Sequence, residues 1–166
     1  FTQSKMPTFW FKKEGVYFLR EINREVELPL NYPVDINVYE AEAFCRYKSE
    51  QLGVEVRLPS EDEYYRLNDY VNAQEQEANI GLEYFNQTPV DKYKMGEFFD
   101  VIGNVWQWSS SPMYPFDDFE AHLAYDDFTT PTFDDRHSLM KGGSFISLGN
   151  EALRSARYAF RRHFFQ

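Results

Sequence analysis

Two helix-start patterns in the first half of the chain constrain its fold more than any other feature. Asn37 precedes Glu40 by three residues, and Ser60 precedes Glu63 by the same spacing. In such a capping box the two side chains bond to the free backbone amides of a first helical turn. Gly53 is placed to end the first helix. The apolar positions expected to face the core are Val38, Ala41, Phe44, Cys45 and Leu52 in the first helix and Tyr64, Leu67 and Val71 in the second.

Short strands and long loops are predicted for the rest of the chain. Strand-like runs lie at residues 9–11, 16–19, 54–58, 105–108, 139–141 and 153–160, with Glu14-Gly15 as a turn between the first two. With 166 residues and no internal repeat, the chain is expected to form a single α+β domain over residues 1–166. Aromatic residues make up 19% of it, so the core and any pocket in it should be built largely from rings.

Charge and composition exclude several classes of protein. A formal net charge of −10 opposes binding to nucleic acid or to an anionic membrane surface. No apolar run approaches the ~18–20 residues that cross a bilayer. Cys45 is the single cysteine and cannot form an internal disulfide, so we expect a reducing compartment, the cytoplasm. Because the chain begins at Phe1 and stops at Gln166 without a cap signal, we interpret it as a piece of a longer polypeptide.

Local motifs for metal or thiol chemistry are weak. His122, His137 and His163 are far apart in sequence and show no metal-binding spacing, so no metal site is predicted within this chain. Cys45, on the apolar side of a helix, is expected to pack as a small hydrophobic residue. Pairs of aspartates at residues 117–118, 126–127 and 134–135 could ligate calcium, but their spacing matches no calcium loop, and solvated or capping roles are the alternative.

Two features point to substrate chemistry. Arg154, Arg157, Arg161 and Arg162 place four guanidinium groups within nine residues of an acidic protein, and arginine binds carboxylates with two parallel hydrogen bonds. Pairing with the chain's own acidic side chains is the alternative. Tyr125 lies in a polar loop, where a phenol can deliver a proton to a reacting centre or can simply pack.

Three blocks of sequence resemble a known family. Residues 33–45 with residues 57–64 (RLPSEDEY), residues 100–108 (DVIGNVWQW) and residues 141–145 (KGGSF) occur in order along the chain. They resemble the helix–RLPTEAEWE, Gly-Asn-Val-Trp-Glu-Trp and Arg-Gly-Gly-Ser-Trp blocks of the formylglycine-generating-enzyme (sulfatase-modifying factor) superfamily. The resemblance implies a sulfatase-modifying-factor-like fold, which is related to C-type lectins.

Further stretches choose a branch of that superfamily. Residues 100–134 and 149–166 resemble the ovothiol synthases (5-histidylcysteine sulfoxide synthases), and the related ergothioneine sulfoxide synthases are a weaker match. The resemblance implies an oxidoreductase that joins the sulfur of L-cysteine to the imidazole of L-histidine with O₂. It also implies a non-haem Fe(II) bound by an N-terminal DinB-like domain of the same polypeptide, and a C-terminal methyltransferase domain. Alone, this chain would then bind no catalytic iron and be inactive.

The resemblance also implies individual roles. Tyr125 matches the active-site tyrosine that supplies a proton or hydrogen atom and steers the reaction away from plain cysteine oxidation. Arg157, Tyr158, Arg161 and Phe128 fall where the family lines its substrate pocket. The pairing of each arginine with a particular substrate is not implied.

Departures from the family pattern carry information as well. Formylglycine-generating enzymes hold copper with two cysteines after the Gly-Gly-Ser block, and Ser147 and Ala152 occupy those positions here, which opposes that oxidase activity. Gln107 replaces a glutamate associated with structural calcium in relatives, so a retained calcium site is doubtful. A non-catalytic binding module remains the alternative of a different class.

Overall fold

The computed structural model describes residues 6–124 and 129–165. Two helices and three small antiparallel sheets make up this part of the chain. The helices are α1 (Val38–Leu52) and α2 (Glu61–Tyr70). The strands, in chain order, are β1 (Trp10–Lys13), β2 (Val16–Arg20), β3 (Glu25–Glu27), β4 (Lys94–Met95), β5 (Phe98–Phe99), β6 (Gln107–Pro112), β7 (His137–Lys141) and β8 (Tyr158–Arg161). The predicted α+β class is therefore confirmed.

Both helices begin as the sequence predicts, and α1 also ends as predicted. The side chain of Asn37 accepts a hydrogen bond from the amide of Glu40, and the Glu40 carboxylate accepts from the amide of Asn37. Ser60 and Glu63 make the same reciprocal pair at the start of α2. Gly53 ends α1 at φ 68°, a left-handed conformation that glycine adopts without strain.

Two local expectations are wrong. Phe44 and Leu52 are 56% and 63% exposed, so the buried side of α1 is narrower than its apolar pattern predicts. Residues 54–58 form no strand in the structure, although their alternating pattern predicts one. The Ser49 hydroxyl accepts from the amide of Val56 at 2.8 Å and contacts its carbonyl at 3.2 Å. A side chain of α1 thus satisfies backbone groups that would otherwise seek a partner strand.

The three strands predicted near the C-terminus form with shifted bounds, whereas the N-terminal sheet contains β3 in addition to the two strands predicted there. The first hairpin forms around Glu14-Gly15, with Trp10 opposite Leu19 and Lys13 opposite Val16. Near the C-terminus β7 lies between β6 and β8 in one antiparallel sheet. The predicted strand at residues 153–160 begins only at Tyr158, and the one at residues 105–108 begins at Gln107 and runs to Pro112.

Both helices contact the C-terminal sheet formed by β6, β7 and β8. Val38, Trp108 and Met140 form one buried cluster that joins α1 to this sheet, and Phe160 packs against it. The indole N–H of Trp108 donates to the carbonyl of Ile36 at 2.8 Å. A second cluster joins α2 to the loops after it, and its buried members are Tyr64, Val71, Ala73, Met95, Val101 and Ile102. Among the described residues no helix is long and apolar enough to cross a membrane.

Candidate functional site

A buried ion cluster links the start of α2 to the C-terminal sheet. Arg157 donates to the two carboxylate oxygens of Glu61 at 2.8 and 2.9 Å, and the Tyr65 hydroxyl donates to the same carboxylate at 2.7 Å. The ammonium of Lys141 lies 3.5 Å from it and donates to the carbonyls of Arg154 and Ala156. We call these four side chains, Glu61, Tyr65, Lys141 and Arg157, the Glu61 cluster.

The charged side chains of the Glu61 cluster are almost completely buried. Glu61 and Lys141 are each 1% exposed and Arg157 is 11% exposed. Burial alone would raise the pKa of Glu61, but hydrogen bonds from Arg157 and Tyr65 and the nearby positive charges hold that pKa below its usual value. Burial lowers the pKa of Lys141 to about 8 despite the attraction of Glu61. Arg157, at the shorter distances, is therefore the principal partner of Glu61.

The structure places the predicted substrate arginines in different settings. Arg157 is committed to Glu61 and also donates to the carbonyl of Tyr114 at 2.9 Å. Arg154 pairs with Asp69 at 2.6 Å, so both arginines follow the alternative in which the chain's own carboxylates are the partners. Arg161 is exposed and makes no ion pair within the described part of the chain. Tyr125 and Phe128 lie outside the described residues.

Tyr158 connects the last strand to a cleft on the N-terminal side of the molecule. Its ring contacts that of Trp106, with centroids 4.9 Å apart, and Trp106 in turn lines a cleft of about 470 Å³. The cleft lies between the first sheet and the loops that carry the family-like blocks. Its lining residues are Phe9, Leu19, Arg20, Glu21, Ile22, Asp35, Asn86, Gln87, Val105, Trp106, Ser144, Phe145 and Ile146. Only three of these thirteen residues are aromatic, so the expectation of a pocket built largely from rings is wrong for this cleft.

The Gly142-Gly143 pair directly precedes residues 144–146, which line one side of this cleft. Both residues have positive φ, at 90° and 73°. A Cβ on Gly143 would lie 3.0 Å from the Ser147 hydroxyl and 3.0 Å from Cβ of Ala152. The structure thus brings Ser147 and Ala152 to one point, where a hydroxyl and a methyl group face each other. This pair offers no thiolate to a copper ion.

Gln107 lies at the position for which the family resemblance raises the question of a calcium site. Its side-chain amide donates to the backbone carbonyls of Asp100 at 2.6 Å and Val101 at 3.2 Å. Because these N–H groups already occupy the two carbonyl oxygens, the residues around Gln107 do not fit a cation. No described group of three or more His, Cys, Asp or Glu side chains could hold a metal ion either. Within the described part of the chain we therefore derive no chemistry through a metal.

Asp100 next to this position carries a destabilising charge. One of its oxygens accepts from Asn104 at 3.0 Å and the other is buried without a partner. Burial, with a smaller contribution from Asp91, raises the pKa of Asp100 to about 6. The unfolded value is about 3.9. The folded chain therefore binds the proton more tightly, and stability due to Asp100 falls as pH rises from about 4 to about 6.

Asp100→Asn is expected to stabilise the chain at pH 8 by about 1–3 kcal/mol. The amide oxygen can still accept from Asn104, and the buried charge is removed. The gain should shrink to near zero at pH 4, where the wild-type carboxyl is largely protonated when folded. Urea unfolding of both proteins at pH 4, 6 and 8 measures this, and a difference that does not change with pH would contradict the assignment.

Comparisons with known proteins identify the family. The sequence profile of the sulfatase-modifying factor enzyme 1-like domain matches residues 5–165. The chain belongs to this family. It is 26% identical over 176 residues to ergothioneine biosynthesis protein 1 of Schizosaccharomyces pombe, covering 99% of this chain and 21% of that protein. It is 23% identical over 181 residues to hercynine oxygenase of Mycobacterium tuberculosis, covering 96% of this chain and 40% of that protein. The chain thus spans well under half of these relatives.

Solved structures support the same fold. Treponema denticola variable protein 1 superposes with a TM-score of 0.65 at 17% identity, over 82% of this chain and 68% of that one. PvdO from Pseudomonas aeruginosa gives 0.62 at 15% identity, over 96% and 67%. At such identities the likeness concerns the fold alone. It confirms the sulfatase-modifying-factor-like architecture that the sequence blocks indicate.

Several residues of the site were not predicted. Glu61 and Lys141 were read only as parts of a helix start and of a family block, yet both are fully buried charges. One sequence signal does exist. Lys141 follows two apolar residues in a predicted strand, and a lysine that is buried in a strand requires an acidic partner. The acidic residues of the cleft, Glu21 and Asp35, carried no pattern that would separate them from surface carboxylates.

Proposed function

We propose that this chain is the substrate-binding part of an oxidoreductase of the sulfoxide synthase type, which joins the sulfur of L-cysteine to the imidazole of L-histidine with O₂. The observation that carries the proposal is the match of nearly the whole chain to an ergothioneine biosynthesis protein and a hercynine oxygenase. The choice of histidine and of the ovothiol reaction rests on the resemblance of residues 100–134 and 149–166.

Iron(II), which would activate O₂, is part of the proposal, and its ligands are expected from a DinB-like domain of the same polypeptide. The residues of this chain bind and orient substrate. Arg161 is the arginine we assign to a substrate carboxylate, because it is exposed and unpaired in the described part of the chain. Arg157 supports the strand that carries Arg161 and Tyr158 through its bond to Glu61, and Phe128 is assigned to the pocket wall.

A second candidate is the ergothioneine reaction itself, with hercynine as the acceptor of sulfur. The names of both relatives favour it. In the ergothioneine reaction Tyr125 would have the same role. The two reactions differ in the histidine derivative that is bound and in the ring carbon that receives sulfur.

Tyr125→Phe tests the assigned chemistry in the full-length enzyme supplied with iron(II), cysteine, histidine and O₂. Loss of the phenol proton is expected to lower the ratio of sulfoxide product to cysteine sulfinate about tenfold or more. Mass spectrometry of both products measures the ratio. Tyr70→Phe is the matched control, because Tyr70 is 73% exposed at the end of α2. An unchanged ratio in Tyr125→Phe would remove Tyr125 from the reaction.

A further inference from the structure

The polar side chains that line the cleft at Trp106 are Arg20, Glu21, Asp35, Asn86, Gln87 and Ser144. Glu21 has a side chain only 3% exposed, and one of its oxygens accepts from Arg24 at 2.6 Å. Its other oxygen is buried without a partner, as are the side-chain carbonyl oxygen of Gln87 and the hydroxyl of Ser144. Buried polar atoms are nearly always hydrogen-bonded in folded proteins. These three atoms have almost no accessible surface, so a molecule bound in the cleft must be held by another polar group of the lining.

The same cleft contains a carboxylate that no cation neutralises. Asp35 accepts a hydrogen bond from the side-chain amide of Gln87 at 3.0 Å. In the described part of the chain it pairs with no lysine, arginine or histidine. Burial raises the pKa of Asp35, opposed by the hydrogen bond from Gln87. A half-buried carboxylate with these surroundings attracts a positive charge.

The cations already present nearby are engaged elsewhere. Arg24 is bound to Glu21. Arg20 lines the cleft, but its guanidinium lies 3.6 Å from Glu25 and 5.3 Å from the ring centre of Phe11. Neither arginine neutralises Asp35, so the cleft has a place for a cation from outside the chain.

The remaining walls decide what kind of cation fits. Trp106 and Phe145 present aromatic rings, and Leu19, Ile22, Val105 and Ile146 present aliphatic groups. Aromatic faces attract organic cations, and a volume of about 470 Å³ is in the range of small-molecule sites. A metal ion is disfavoured, because no described set of three acidic, cysteine or histidine side chains could ligate one. A quaternary ammonium has no N–H group that could donate a charge-assisted hydrogen bond to the Asp35 carboxylate.

We propose that this cleft binds a small organic cation that bears N–H groups, such as a protonated primary amine attached to a flat ring. The charged N–H groups donate to the carboxylate of Asp35, and the ring packs against Trp106. This inference rests on the cleft alone and stands or falls independently of the proposed reaction.

Three matched probes test it on the 166-residue chain. They are phenethylamine, its N,N,N-trimethyl derivative and 2-phenylethanol, which share the ring and differ in charge and N–H groups. Binding is followed by nuclear magnetic resonance at the side-chain amides of Asn86 and Gln87 and the indole N–H of Trp106. We expect phenethylamine to bind about tenfold or more tightly than the other two, because it alone makes charge-assisted hydrogen bonds. Equal binding of all three would show an apolar cleft only, and no binding of phenethylamine would also overturn the proposal.

Two variants of Asp35 test whether its carboxylate binds the positive charge of the ligand. Asp35→Asn is expected to weaken phenethylamine about tenfold or more and to leave 2-phenylethanol unchanged, whereas Asp35→Glu should retain most of the affinity. Asp117→Asn, in an exposed loop, is the matched control. Full affinity in Asp35→Asn would refute the assignment of the charge. If Asp35→Asn fails to fold, the comparison of the three probes on the wild-type chain still decides.

Discussion

Glu61→Gln is expected to reduce the free energy of unfolding by about 3–5 kcal/mol, the cost of leaving a buried charge without its partner. Glutamine keeps the size of the side chain but removes the negative charge between Arg157 and Lys141. Both cations would then be buried side by side, since Lys141 is 1% exposed and Arg157 is 11% exposed. The amide also cannot accept from both arms of Arg157 and from Tyr65. Urea unfolding at pH 7 measures the loss.

A neighbouring residue provides the control for this experiment. Asp62→Asn also removes an acidic charge from the first turn of α2, but Asp62 is exposed. Its expected cost is only about 0.3–1 kcal/mol from the helix dipole. If Glu61→Gln were no more destabilising than Asp62→Asn, the Glu61 cluster would not be what holds α2 to the C-terminal sheet.

Gln107→Glu is the second substitution with a large expected effect, about 2–4 kcal/mol of destabilisation near pH 7. The N–H groups that satisfy the carbonyls of Asp100 and Val101 would be replaced by a carboxylate oxygen facing them. Asp100, whose second oxygen is already unpartnered, lies beside the new charge. Thermal unfolding of the variant in EDTA measures the effect.

The response to calcium distinguishes a site closed by the hydrogen bonds of Gln107 from a retained cation site. Because Gln107 occupies the carbonyls, the melting temperature of the wild-type chain is expected to be the same in EDTA and in millimolar CaCl₂. In Gln107→Glu the new carboxylate and the two carbonyls present oxygen ligands of the type that calcium prefers, so CaCl₂ should restore part of the lost stability. Gln107→Met, which loses the hydrogen bonds without adding charge, should not respond. A calcium-dependent rise in the wild type would show that a cation site is retained.

Local sequence patterns predicted the features of this fold that depend on interactions between nearby residues, namely the starts of both helices and the end of the first. Asn37 and Ser60 cap helices because the partner glutamate is only three residues away. Gly53 ends α1 in a left-handed conformation that glycine adopts without strain. Such requirements act over a few residues or one turn, so that a pattern of residue types is enough to see them.

The site could not be predicted in the same way, because it is assembled over long separations. Glu61 bonds to Arg157 across 96 residues of sequence, and the local arginine cluster that marks Arg157 does not indicate which carboxylate is its partner. The strand predicted at residues 54–58 failed for a different, local reason, since Ser49 of α1 satisfies the backbone of Val56 seven residues later. The assignments of Tyr125 and Phe128 came from family resemblance and stay predictions.

The product of the full-length enzyme tests the central proposal most directly. The enzyme is given iron(II), O₂, cysteine and an equal mixture of histidine and hercynine, and the sulfoxides are identified by mass spectrometry and nuclear magnetic resonance. The proposal predicts a conjugate of cysteine with histidine, bonded through sulfur at carbon 5 of the imidazole. A product formed from hercynine alone would assign the ergothioneine reaction instead, and the absence of any carbon–sulfur product would contradict a sulfoxide synthase.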